Sequence, residues 1–213
     1  MIIVRISLNM LLFAVGLSVP LWGPTPAVCD DSPQAIVAEF QNSLIGVMKE
    51  AKTLGVRGRY ERLNPIVERS FHVPLMTQMA TAAAWPEANN EKRMEMVRAF
   101  RRMNISTLAT LFDGYSGEAF KIVGERDGPQ NTRVIETQIV KSNNRTNDIA
   151  YIARKISSRW YLIDVVVDRG ISEISVRRSE YARILKDQGF DGLIAVLNGK
   201  ADELLSTAQP AAK

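Results

Sequence analysis

Arg159-Trp160-Tyr161-Leu162-Ile163-Asp164-Val165-Val166-Val167-Asp168 has the strongest strand character in the chain. Strand side chains alternate with period two. Tyr161, Ile163, Val165 and Val167 therefore fall on one side, and Trp160, Leu162, Asp164, Val166 and Asp168 on the other. One face is wholly apolar and the other mixed. That pattern belongs to a central or near-central antiparallel strand whose apolar face is covered by helices.

Upstream of it lie three more strand-like runs: Glu118 to Val123, Thr132 to Lys141 and Ile149 to Ile156. Arg126-Asp127-Gly128-Pro129 reads as the first turn, the polar run Ser142 to Asn147 as a loop, and Ser157-Ser158 as a tight connection. These short spacings predict a four-stranded antiparallel meander without crossovers. Beyond Gly170, the apolar positions Ile171, Ile174, Val176, Tyr181, Ile184 and Leu185 predict a helix broken at Gly189. Phe190 to Leu197 predicts a last one, ending at Gly199 or shortly after at Leu205.

Helices precede the sheet. Ser32 caps the first, with Pro33 at its first position, and Ile36, Phe40, Leu44 and Val47 recur at helical spacing until Gly55 and Gly58. A short helix follows over Tyr60 to Val67, and another after Phe71-His72-Val73-Pro74, ended by Trp85-Pro86. The longest runs from Glu87 or Asn90 to Phe112, with an apolar surface wider than one seam. Helices, four strands, helices: the fold class is α+β, helices on a curved antiparallel four-stranded sheet.

The chain has 213 residues, enough for one sizeable domain. Arg5 and the apolar run Ile6 to Trp22, followed by Pro24, Thr25-Pro26-Ala27, predict a secretory signal peptide over 1–27, cleaved after 27 or 29. The alternative, a retained anchor, requires about 20 apolar residues, and this run is short. Residues 28–205 then form the single domain and 206–213 a flexible tail. Cys29 is the lone cysteine, so no internal disulfide forms. The formal charge of +4 is interspersed with acids, and no dense basic block marks a nucleic-acid groove.

Catalytic motifs are sparse. His72 is the lone histidine, which leaves no transition-metal ligand set and no histidine-based triad. Asp164 and Asp168 share a strand side, as a solvated face, as ion-pair partners of Arg133 or Arg154, or as an acid–base pair with His72. Arg98, Arg101 and Arg102 flank the long helix, and Arg101 borders its apolar sector, where it would meet an anionic head group. Broad apolar faces rich in Met48, Met76, Met79, Met94, Met96 and Met103 imply either a filled core or a cavity between helices and sheet.

A family resemblance rests on several of these residues. Phe100-Arg101, Leu111-Phe112-Asp113-Gly114-Tyr115, Trp160 to Val167, Gly170-Ile171-Ser172, Arg178-Ser179-Glu180-Tyr181 and Gly189-Phe190-Asp191-Gly192-Leu193 resemble, in this order, the toluene-tolerance family. That family supplies the exported lipid-binding component of Mla-type ABC systems (MlaC-like proteins). The resemblance covers about residues 32–205. The run Asp113 to Glu118 is also similar to the HpnM-type branch associated with hopanoid biosynthesis.

The resemblance implies a single α+β domain related to the NTF2-like shape. It implies a cavity for lipid tails and a monomeric periplasmic shuttle between inner- and outer-membrane complexes. The cargo would be a phospholipid or a hopanoid; no cofactor, catalytic group or nucleic acid is implied. The cavity-wall candidates are Met76, Met79, Phe100, Leu108, Phe112, Ile139, Tyr161, Ile163, Val165 and Val167, with Arg101 as head-group contact. Gly170, Ser172, Arg178 and Glu180 match the family pattern and read as architectural: a strand exit and a cap or ion pair at the next helix. Two alternatives stay open: an NTF2-like enzyme using His72 with Asp164 or Asp168 on a hydrophobic substrate, and a non-catalytic adaptor in an envelope complex.

Overall fold

Capping and glycine placement set the helical layer. A computed structural model describes residues 32–167 and 170–207; the leader, Cys29, Asp168 and residues 208–213 lie outside the described residues. Helix α1 (Pro33–Lys49) starts where Ser32 Oγ accepts from Ala35 N at 3.1 Å. Its face of Val37, Phe40, Leu44 and Val47 is buried. Helix α2 (Ala51–Ser70) follows after Glu50 and is interrupted at Gly55, with φ 60 and ψ −178. Gly58, read above as a second break, continues the helix. Buried Arg59 ties this kink to the rest of the layer, donating Nε to Ala109 O at 2.7 Å and Nη1 to Ala51 O at 2.8 Å.

Helix α3 (Val73–Thr81) begins at His72 and runs into a 3₁₀ turn over Ala82–Glu87. Helix α4 (Asn90–Leu111) starts where Asn89 Oδ1 accepts from Lys92 N at 2.8 Å. It buries Met96, Phe100 and Ile105 completely or nearly so.

The sheet is an antiparallel meander in the order β1-β2-β3-β4-β5. Its strands are β1 (Ala119–Gly128), β2 (Thr132–Val140), β3 (Thr146–Ile156), β4 (Arg159–Val167) and β5 (Ile171–Ser172). The expected four strands are thus joined by a fifth. Ile171, assigned above to a helix, instead pairs with Val167. Strand β1 is also longer than expected: Arg126 to Gly128 pair with β2, and the reversal falls on Pro129–Asn131. Ser157 and Ser158 both take positive φ, 47 and 71, as a two-residue hairpin turn requires.

Helix α5 (Glu173–Thr207) closes the fold and is kinked at Gly189, with φ 64 and ψ −163. It passes through Gly199 without stopping, and its end at Thr207 takes in Ser206, read above as tail. Its first turn is anchored on the sheet. Ser172 Oγ accepts from Ser175 N at 3.0 Å, and Asp164 Oδ1 accepts from Ile174 N at 3.1 Å. Ser172 is therefore the cap at the strand exit.

Two extra residues decide which side chains face the helices. Val123 is inserted in β1 and Ile163 in β4, each without a cross-strand partner. A bulge puts two residues opposite one and shifts the alternation beyond it. Leu162, Ile163 and Asp164 are consequently buried in succession, at 0%, 3% and 7% exposure. Val165 pairs with Tyr151, and Leu162 with Ala153, so Leu162 joins the face of Val165 and Val167. Tyr161 pairs with Arg154 on the opposite face. The single uninterrupted alternation read over this strand does not hold.

Candidate functional site

A cavity of about 370 Å³ lies between α4 and the helix-facing side of the sheet. Phe40 and Leu44 of α1, Val67 of α2 and Phe71, Val73 and Met76 form its helical back. From α4 come Phe100, Arg101, Asn104, Thr107, Leu108 and Leu111, at the three- and four-residue steps that share one helix face, with Phe112 following. Phe120, Ile149, Tyr151, Val165 and Val167 form the sheet wall, and Glu173 and Arg177 of α5 stand at the rim. The lining is mainly apolar with few polar groups, the make-up of a small-molecule site.

Of the wall candidates, Met76, Phe100, Leu108, Phe112, Val165 and Val167 line this cavity, and so does Arg101. Met79, Ile139, Tyr161 and Ile163 do not. The bulge at Ile163 accounts for Tyr161 and Ile163. Tyr161 lies edge-on to His72 at 5.3 Å and under Arg159 at 5.0 Å. Ile139 shares the wall's face, but it lies between Phe120 and Asn147, and it is Phe120 that reaches the cavity. Met79 belongs to the end of α3 beside α5, where its carbonyl accepts from Arg178 Nε at 2.9 Å.

The residues not foreseen are chiefly Phe40, Leu44, Phe71, Tyr151, Leu111, Glu173 and Arg177. The helical spacing of Phe40 and Leu44 was legible, but not which helix would back the cavity. Tyr151 was hidden by the bulge: counting back from Ser157-Ser158 without it sets Tyr151 opposite Asp164, not Val165.

One polar thread crosses the apolar interior. Gln41 Nε2 donates to Thr137 Oγ1 at 3.2 Å, and Thr137 Oγ1 donates to Ile149 O at 2.8 Å. Burial pushes the Tyr151 hydroxyl up to about 12, opposed by a hydrogen bond with Gln41. Tyr151 therefore stays a neutral, mostly apolar wall.

At the rim, charges are paired. Arg101 Nη1 binds Glu68 Oε1. Arg177 meets Glu180 at 2.9 Å and Glu173 at 3.7 Å. Leu111 is 68% exposed and Ile171, beside Val167, 48%.

The groups proposed above for acid–base work are engaged elsewhere. His72 Nδ1 accepts from Leu75 N at 3.1 Å, capping α3, and neither His72 nor Asp164 lines the cavity. Asp164 accepts from Val165 N at 2.8 Å, Ser172 Oγ at 2.6 Å and Ile174 N, rather than pairing with Arg133 or Arg154. Arg133 instead bonds Glu125 and Asp127. Among the described residues no group of three or more His, Cys, Asp or Glu side chains is placed to hold a metal ion. No described helix is long and apolar enough to cross a membrane.

Comparison with known proteins bears on this arrangement. No curated protein matches the sequence. Among solved structures, the phospholipid-binding protein from Ralstonia solanacearum in complex with a phospholipid is similar, with a TM-score of 0.71 and 16% identity over 80% of this chain and 97% of that one. At that identity the likeness establishes a shared fold. The family model of the MlaC protein matches residues 38–199, from α1 through the whole sheet and into α5. The chain therefore belongs to the MlaC protein family.

Proposed function

We propose that the protein is a periplasmic lipid carrier that holds the tails of a membrane phospholipid in the α4–sheet cavity and passes the lipid between inner- and outer-membrane complexes. The observation that carries this reading is the apolar wall of the 370 Å³ cavity, open beside Leu111 and the paired charges of the rim. Membership of the MlaC family supports it, as does the shared fold with a protein crystallised with phospholipid.

The energetics suit a carrier. Burying one methylene gains about 0.8 kcal/mol, so a tail of roughly 16 carbons gains about 12 kcal/mol. Association costs of roughly 4–15 kcal/mol offset most of that. Binding without a covalent step is then firm enough to strip a lipid from water and weak enough to release it. The volume is at the low end of the roughly 300–1,000 Å³ typical of ligand sites. A second tail requires rearrangement of Met76, whose unbranched side chain is adaptable, and of Leu111, which is surface-exposed.

Organic extraction of the purified protein followed by mass spectrometry tests the reading. Co-purified phospholipid, and uptake of labelled phospholipid from vesicles, are expected. A hopanoid in the extract in its place would reassign the cargo to the branch that Asp113 to Glu118 resemble. No lipid and no uptake would overturn the carrier function.

A further inference from the structure

The cavity has an open end and a closed one, and the exposure of its lining tells them apart. Leu111 is 68% exposed, whereas Phe40, Phe71 and Tyr151 are at 3%, 7% and 3%. These three rings form one edge-to-face cluster. Phe40 meets Phe71 at 4.9 Å between centroids and 87° between planes, and Tyr151 at 6.0 Å and 73°. They come from α1, from the residue that caps α2, and from β3, so helices and sheet converge on them.

Each ring is held from behind. Edge-to-face pairs stabilise one another beyond the area they bury. The Tyr151 hydroxyl is hydrogen-bonded with Gln41, which donates in turn to Thr137 Oγ1 at 3.2 Å. Gln41 follows Phe40 in α1, so one helical turn carries one ring and fixes another. Phe71 N donates to Val67 O at 2.9 Å, and the next residue, His72, donates its N–H to Leu162 O of β4 at 3.0 Å. A planar ring locked in such a cluster cannot fold aside as the Met76 thioether can.

We propose that the Phe40–Phe71–Tyr151 cluster is the floor of the cavity and sets the longest acyl tail the protein takes up. The inference rests on the carrier reading above and adds a chain-length specificity to that same site. A methylene that passes from a bilayer into the cavity exchanges one apolar surrounding for another. A methylene for which the floor leaves no room stays in water at the mouth, and each such group lowers uptake about fourfold. A tail two carbons too long is then disfavoured about fifteenfold.

The test is competitive. Delipidated protein is incubated with vesicles of equimolar phosphatidylcholines whose tails lengthen in two-carbon steps. It is then re-isolated, and the bound lipids are quantified by mass spectrometry. Uptake should follow the vesicle proportions up to one length and then fall about fifteenfold per step. Phe71→Ala and Tyr151→Leu each take a ring out of the floor and should move the fall to longer tails by a step or more, because a core relaxes only partly around a deleted side chain. Val67→Phe, one turn before Phe71 in the same lining, should move it to shorter tails. Phe71→Leu and Phe40→Leu keep more bulk and read the same shift if the first variants fail to fold. Leu193→Ala, fully buried in α5 outside the lining, controls for general loosening and should leave the fall in place. Uptake without a fall, a fall unmoved in folded floor variants, or one that Leu193→Ala moves as far would overturn the inference. Failure of the wild type to take up any lipid of the series would instead sink the carrier reading on which it depends.

Discussion

Replacing Asp164 by Ala removes the joint between sheet and α5. The carboxylate is 7% exposed and accepts three hydrogen bonds. Two of them cross from β4 to the start of α5: Ser172 Oγ at 2.6 Å and Ile174 N at 3.1 Å. Ile174 is 2% exposed, so its N–H finds no water when the acceptor goes. A hydrogen bond to a charged group contributes about 1.5–3 kcal/mol net. Two such bonds give about 3–6 kcal/mol, reduced because Ala also relieves the desolvation of the carboxylate. The expected loss is about 3 kcal/mol, a large share of a stability that for a domain is typically about 5–15 kcal/mol.

Asp164→Asn keeps an acceptor for Ile174 N, and its amide can donate to Ser172 Oγ once that hydroxyl turns. It should cost about 1 kcal/mol. Urea unfolding followed by tryptophan fluorescence measures both, with Trp160 reporting on β4 itself. The midpoint should shift with little change in slope. A loss below about 1 kcal/mol for Asp164→Ala, or equal losses for Ala and Asn, would refute the reasoning. Because Glu173 and Arg177 stand on the turn that Asp164 pins, the Ala variant should also show faster amide exchange at the cavity rim.

Gly189→Ala should cost about 1–3 kcal/mol from backbone strain alone, since φ 64 with ψ −163 is nearly restricted to glycine and nothing lies within 4 Å of the added Cβ. Gly199→Ala, in regular helix with equal space, should instead gain up to about 1 kcal/mol, and thermal unfolding of the pair separates the two effects. Burial raises the Tyr151 and Tyr181 hydroxyls from their ordinary 10.0 to about 12. The unfolded chain therefore loses those protons first; the stabilisation is complete below pH 10 and disappears as pH rises to about 12, roughly 2–3 kcal/mol per tyrosine. Denaturation series across that window, with tyrosinate absorbance alongside, check it, and ionisation of all five tyrosines in folded protein at pH 10.5 would contradict it. His72→Gln should cost about 1 kcal/mol through the α3 cap and leave lipid uptake unchanged; abolished uptake in a folded variant would revive an acid–base role.

Local chemistry made much of the fold legible. Ser32 and Pro33 mark the start of α1, His72-Val73-Pro74 that of α3, and Ser157-Ser158 a tight hairpin, because each is decided by a few adjacent residues. Strand β5 was not legible: two residues pair with β4 only because Gly170, at φ 124, turns the chain back. The bulge at Ile163 was equally hidden. Leu-Ile-Asp reads as ordinary alternation, and only the pairing with Ile152 and Ala153 shows one residue too many. That single insertion removed Tyr161 from the wall and brought Tyr151 to it. The α4 residues were found because helical periodicity survives such local irregularities. The rim was missed in part because Glu173 and Arg177 depend on where α5 docks, which Asp164 sets from ten residues or so upstream.

The most direct test of the cavity is photocrosslinking with a phospholipid that carries a diazirine in its acyl chain, followed by peptide mapping. Tail occupancy predicts labels on α4 between Phe100 and Phe112 and on β4 at Val165 and Val167, diminished when Val165→Trp fills the space. Labels confined to the outer face of the sheet, or unchanged by Val165→Trp in a folded protein, would contradict it.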